Sequence, residues 1–168
     1  CMTAAHTTEP LLDEARAGFI THSVSMCVAS CDAAGVPSLV RGHGCRVSAD
    51  RRQVTVFVSA LRAAAVLNDL RSGRAVAVAF TLPSTHETLQ LKGPAATIVP
   101  LEPADLARIR AYAESFAREI HGLGYKEPFA RALVSGLDEE HVGVAFEPAA
   151  AFVQTPGPNA GQRLEGRA

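Results

Sequence analysis

Three short β-forming runs follow one another between residues 21 and 59, and they constrain the fold more than any other feature. "THSVSMCVAS" (21–30) is rich in β-branched residues and ends in "CDAAGVP", whose Asp, Gly and Pro mark a turn. "PSLVRGHGCRV" (37–47) follows, then the polar turn "SADRRQ", then "VTVFVS" (54–59). Strands this short, joined by turns this tight, read most simply as an antiparallel meander.

The third run passes without a break into "SALRAAAVLNDLRSG", where the period changes. Ala63, Val66, Leu67 and Leu70 recur at helical spacing, with Ser59 expected as N-cap and Gly73 as the stop. "RAVAVAF" is again strand-like. "HETLQLKGPAATIV" reads as one long strand bent at Gly93–Pro94. "PADLARIRAYAESFAREIHGLG" is the clearest helix, with Leu106, Ile109, Ala113, Phe116 and Ile120 on one stripe facing the core. "EPFARALVSG" is a second short helix, and "HVGVAFEP" and "AAAFVQT" are two more strands. "TEPLLDEARAGF" predicts an N-terminal helix, capped by Thr8, with Pro10 in its first turn and Gly18 at its end. The predicted fold is mainly β, a small barrel with flanking helices. Residues 1–18 form an N-terminal helix, 19–155 one domain, and 156–168 a mobile C-terminal tail.

Composition narrows the function classes. A formal net charge of -1 over 168 residues, with charged residues at 20%, does not suit a bulk nucleic-acid binder. No apolar run approaches the length that crosses a membrane, so no membrane partner is expected. The start lacks a basic segment followed by an apolar one, so no secretory signal is expected, and Cys1 ahead of Met2 is set aside. Cys27, Cys31 and Cys45 are an odd number of thiols, which points to a reducing cytoplasm. Their spacing, with His43 nearby, is wrong for a paired-cysteine zinc knuckle; they read as small buried hydrophobes, and no metal is expected.

In a nearly neutral chain, an anion must be held by a local cluster of cations. The junction "VTVFVSALRAAAVL" offers one candidate. Backbone N–H groups at a helix start lack partners and carry the positive end of the dipole, and Arg62 lies in that first turn. Ser59 and Arg62 together can form a phosphate socket, although an ordinary capped helix with a solvated arginine explains the same residues. Arg41 offers a second fixed cation. Gly42 and Gly44 would share one strand face and leave it flat, either for a planar ring or for close packing by the protein. On "HETLQLKG", Thr88, Gln90 and Lys92 share a face, and Gln90 offers both a donor and an acceptor, which suits the polar edge of a heterocycle or plain solvent.

These pieces, in this order, resemble the pyridoxamine 5′-phosphate oxidase-like family of FMN-binding split barrels. The resemblance spans roughly residues 20–100 and rests on "GVPSLVRGHGCRV", "VFVSALRAAAVL", "RAVAVAF" and "TLQLKG"; the later "FVQTPGPNAG" is similar to tails of that family. It implies a split β-barrel, a homodimer, and FMN in a cleft between subunits. Arg41, Ser59 and Arg62 would then serve the phosphate. Gly42, Val58, Ala60 and Leu61 would lie beside the flavin, and Gln90 would reach its polar edge. His43 and His86 would border the cleft as proton carriers, whereas His121 and His141 would end a helix and start a strand. The oxidase has a Ser-Arg-Lys run at the helix entry where this chain has "SALRAAA". Its C-terminal pyridoxal-phosphate recognition segment has no equivalent here, so pyridoxamine phosphate is not the expected substrate. The implied activity is an FMN-dependent oxidoreductase acting on a small molecule, with NAD(P)H a candidate donor. The alternatives are a flavin- or haem-binding split barrel without turnover, a protein using the deazaflavin F420, or a plain β-barrel interaction module.

Overall fold

A computed structural model describes residues 9–165. Two antiparallel sheets wrap a single apolar core. One has six strands, in spatial order β10 (Arg163–Leu164), β9 (Ala150–Val153), β6 (Thr88–Gly93), β5 (Val76–Thr81), β1 (Ser25–Cys31) and β2 (Pro37–Gly42). The other has four: β3 (Cys45–Val47), β4 (Val54–Ser59), β8 (His141–Phe146) and β7 (Thr97–Val99). The helices are α1 (Glu14–Ile20), α2 (Ala64–Arg71), α3 (Asp105–Gly122) and α4 (Glu127–Leu133). This is the mainly β, helix-flanked architecture expected.

Alternation along the strands builds the core. Met26 and Val28 on β1, Val76, Val78 and Phe80 on β5, and Leu91 on β6 point inward and are almost completely buried. β4 meets them from the second sheet with Val54, Val56 and Val58. Helix α2 adds Val66, Leu67 and Leu70 to the same core.

Several expected boundaries shift. The run 37–47 is two strands in two different sheets. It breaks at His43 and at Gly44, whose φ of +108° leaves the β region and turns the chain. The run 86–99 is likewise two strands, β6 and β7, parted at Gly93–Pro94 and assigned to opposite sheets. These breaks let one chain supply both walls of the barrel.

Helix α1 starts at Glu14, because Asp13 accepts the Arg16 N–H at 2.8 Å and caps it; Gly18 lies inside the helix, and Thr8 is outside the described residues. On α3, Leu106 is exposed and Tyr112 joins Ile109, Ala113, Phe116 and Ile120 in the buried stripe. The first turn of α3 is held instead by Asp105, fully buried, whose carboxylate takes Arg46 from β3, Arg108 and the Glu102 N–H. Arg46 therefore ties β3 to α3. Within the expected tail, Arg163–Leu164 pair with β9 as an edge strand.

Candidate functional site

The site is built where β4 ends. Its six residues are buried on both faces, so Val58 belongs to the core and Ser59 faces the other way. Four residues of turn follow before α2. The Ser59 carbonyl accepts the Ala63 N–H at 2.9 Å, and its hydroxyl oxygen accepts the Arg62 N–H at 3.2 Å. Ser59 therefore caps this turn and not the helix, which begins at Ala64 behind Ala63 with no side-chain cap.

Arg62 turns back over Ser59 and grips a carboxylate from the segment joining α4 to β8. Its Nε and Nη2 donate to Glu139 Oε1 at 3.0 and 2.9 Å, Nε also reaches Oε2 at 3.0 Å, and Nη1 donates to the Ser135 hydroxyl at 3.3 Å. The Ser59 hydroxyl donates to Glu139 Oε2. One oxyanion is thus held by a guanidinium fork and a hydroxyl, with a second hydroxyl beside it. Arg62, and then Ser59, hold the Glu139 carboxyl down at about 2.

A buried histidine pair adjoins this cradle. The β4–β8 register sets Ser59 opposite His141. His141 Nδ1 lies 2.7 Å from the Glu139 carbonyl oxygen, and its Nε2 lies 2.8 Å from His43 Nδ1. A carbonyl only accepts, so His141 carries its proton on Nδ1 and presents a lone pair on Nε2. Neutral His43 then donates from Nδ1 and keeps its own lone pair on Nε2. Burial lowers the His43 pKa to about 4, assisted by His141, Arg62 and Arg41.

His43 thus lies within the field of both Arg62 and Arg41, while Ser59 stands opposite its partner His141. Arg41 leaves β2 on the outward face. Its guanidinium donates to the Ser25 hydroxyl at 3.3 Å and sits 5.6 Å from the Phe116 ring centre. Gly42 faces inward. A Cβ there would meet Val56 Cγ1 at 2.7 Å and Met26 Cβ at 3.1 Å. At Gly44, a Cβ would lie 3.2 Å from Tyr112 Cβ. The two glycines do not share a flat face, because the strand ends between them; the protein's own packing requires them. Ala60 is half-buried, its N–H donating to the Glu140 carbonyl at 2.8 Å, and Leu61 projects into solvent at 75% exposure.

Gln90 stands on the outward face of β6 and accepts from Gln154 at 3.2 Å. It lies on one register row with Ala79, Cys27 and Arg41, so Gln90 and Arg41 share a sheet face three strands apart. His86 is exposed in the β5–β6 turn with φ 60°. The Cys45 thiol is buried, bonds the Ile20 carbonyl at 3.2 Å and is pushed up to about 12, which makes it a structural group. No helix among the described residues is long and apolar enough to cross a membrane.

Local sequence does not reveal that Glu139 and Ser135 meet Arg62 or that His141 pairs with His43. His141 was expected only as a strand start, which it is. An acidic residue two positions before it was the one available signal.

The fold is the split barrel of the pyridoxamine 5′-phosphate oxidase-like proteins. Among solved structures, HupZ from Group A Streptococcus aligns over 89% of this chain and 99% of its own, with a TM-score of 0.53 and 17% identity. A Lactobacillus delbrueckii protein described as a candidate pyridoxamine 5′-phosphate oxidase aligns over 88% and 97%, with a TM-score of 0.52 and 13% identity. No family model and no curated protein sequence matches the chain.

Proposed function

We infer that the chain binds FMN at the β4–α2 turn and serves as an FMN-dependent oxidoreductase for a small molecule. One observation carries this reading: Arg62 and Ser59 already hold an oxyanion, the Glu139 carboxylate, with the Ser135 hydroxyl alongside. That donor set suits a phosphate, which offers more acceptor oxygens than a carboxylate and more negative charge. Arg62 and Ser59 would hold the ester, with Arg41 adding a positive field from the neighbouring strand. The exposed apolar side chain of Leu61, the half-buried Ala60 and the backbone at Gly42 and Val58 would border the ring, and Gln90 would meet its polar edge.

Bound FMN supplies the electron-transfer chemistry; the protein supplies position and electrostatics. His43 suits proton handling beside such a site. It is neutral at physiological pH, with its Nδ1–H fixed by His141 and its Nε2 unprotonated. The outward face of the six-stranded sheet carries Cys27, Ala29, Ala77 and Ala79 with the exposed Leu39, an apolar surface suited to a second copy of the chain. A homodimer formed there would place a partner sheet against Arg41 and Gln90.

The test is the absorption spectrum of freshly purified protein, alone and after FMN addition. Flavin bands that bleach with NAD(P)H or another reductant and return with an acceptor support the reading. Bound flavin that never cycles would leave a passive carrier, and a haem or deazaflavin spectrum, or none after FMN addition, would overturn it. Sedimentation analysis reads the dimer directly.

A further inference from the structure

The oxyanion in the cradle belongs to the chain itself, and this suggests a role for the segment that carries it. Residues 134–140 join α4 to β8 and bring Glu139 and Ser135 onto Arg62. The fit depends on Gly136, with φ +91°, whose bare Cα lies against the guanidinium: a Cβ there would come within 2.9 Å of Arg62 Nε. Residues 134–138 also line, with α3 and α4, a cavity of about 830 Å³ that reaches Ala113, Arg131 and Leu137. Val134 and Leu137 anchor the segment to the apolar core, so the part that must give way to a ligand is the polar stretch after Leu137 and not the whole segment. Its other ties to the site are two carbonyls: that of Glu139, which accepts from His141 Nδ1, and that of Glu140, which accepts the Ala60 N–H at 2.8 Å.

We propose that Glu139 is a built-in surrogate for the FMN phosphate, closing the Arg62–Ser59 cradle until a phosphate ester displaces it. This rests on the FMN reading above and adds a regulation to that same site. The exchange is electrostatically selective. A carboxylate brings one negative charge, and a phosphate monoester close to two near neutral pH, so the ester is the stronger partner for Arg62 with Arg41 nearby. A flavin without phosphate has no means of opening the cradle. Displacement also takes the Glu139 carboxylate away from the His43–His141 pair and puts a more negative group in its place, so filling the cradle changes the field that the pair experiences.

The experiment compares wild type, Glu139→Gln, Arg62→Ala and the double variant. Binding of FMN and riboflavin is followed by flavin fluorescence, and binding of inorganic phosphate by calorimetry, with folding confirmed by circular dichroism. Glu139→Gln removes the competing charge, and FMN and phosphate are expected to bind at least about threefold tighter. Riboflavin affinity stays unchanged, and Arg62→Ala abolishes the gain. In the unaltered protein, phosphate should shift the imidazole NMR signals of His141 and His43, while chloride at equal ionic strength does not; this arm stands even if a variant fails to fold. Arg62-dependent FMN binding with no gain in Glu139→Gln, or an equal gain for riboflavin, would overturn the surrogate and leave the FMN reading intact. Absence of FMN and phosphate binding in both wild type and Glu139→Gln would overturn both.

Discussion

The buried histidine pair makes a quantitative prediction about acid stability. His43 ordinarily titrates at 6.5, and burial and neighbouring cations lower this to about 4 in the folded protein. The unfolded chain takes up a proton below pH 6.5 that the folded chain refuses, so stability falls as pH decreases from about 6.5 and the loss levels off below 4. Each tenfold change in proton affinity is worth about 1.4 kcal/mol, so the full loss is about 3 kcal/mol, most of it present by pH 4.5. Urea unfolding measured at intervals from pH 7.5 to 4.5 reads this limb. The comparison protein is His43→Asn, whose amide N–H can replace the Nδ1–H donated to His141 and does not titrate. The wild type should lose about 2 kcal/mol more than the variant between pH 6.5 and 4.5. Parallel acid limbs in the two proteins, or a His43 ring that titrates near 6.5 by NMR, would refute the reasoning.

Two further substitutions test how the site is framed. Gly42→Ala puts a methyl group 2.7 Å from Val56 Cγ1 in a filled core and should cost about 1–3 kcal/mol of unfolding free energy, read by chemical denaturation; a neutral result would remove the packing explanation for this glycine. Arg46→Met strands the buried Asp105 carboxylate with only Arg108 and the Glu102 N–H. Because Arg46 is itself about one-fifth exposed and the carboxylate keeps two partners, the expected loss by chemical denaturation is about 2 kcal/mol, below the roughly 3–5 kcal/mol of a fully buried pair.

Much of the fold is legible because it follows from local rules. The inward alternation of β1 and β5, the change of period after β4, the stop at Gly73 (φ +76°) and most of the α3 stripe come directly from residue spacing. The errors share one cause: neighbours distant in sequence decided the outcome. Nothing in "LVRGHGCRV" says that β2 and β3 enter different sheets; Gly44 turns the chain there because Tyr112, on a helix 68 positions away, lies against it. Leu106 is exposed at the start of α3, where the turn is fixed by Asp105 and its partner Arg46 on another strand, a contact that spacing alone does not show. At the site, Ser59 and Arg62 are visible as candidate anion ligands, but their occupant is not. Glu139 reaches them only through the β4–β8 pairing, across some 80 residues that local patterns do not connect.

Flavin binding at this site depends on Arg62 as the anchor for the phosphate, and one titration tests this most directly: FMN into wild type and into Arg62→Ala, followed by quenching of flavin fluorescence. Saturable binding to the wild type is expected, with affinity lower by on the order of tenfold or more in the variant, the loss typical of a hydrogen bond to a charged group. Equal affinity in the two proteins, or no binding to either, would contradict it.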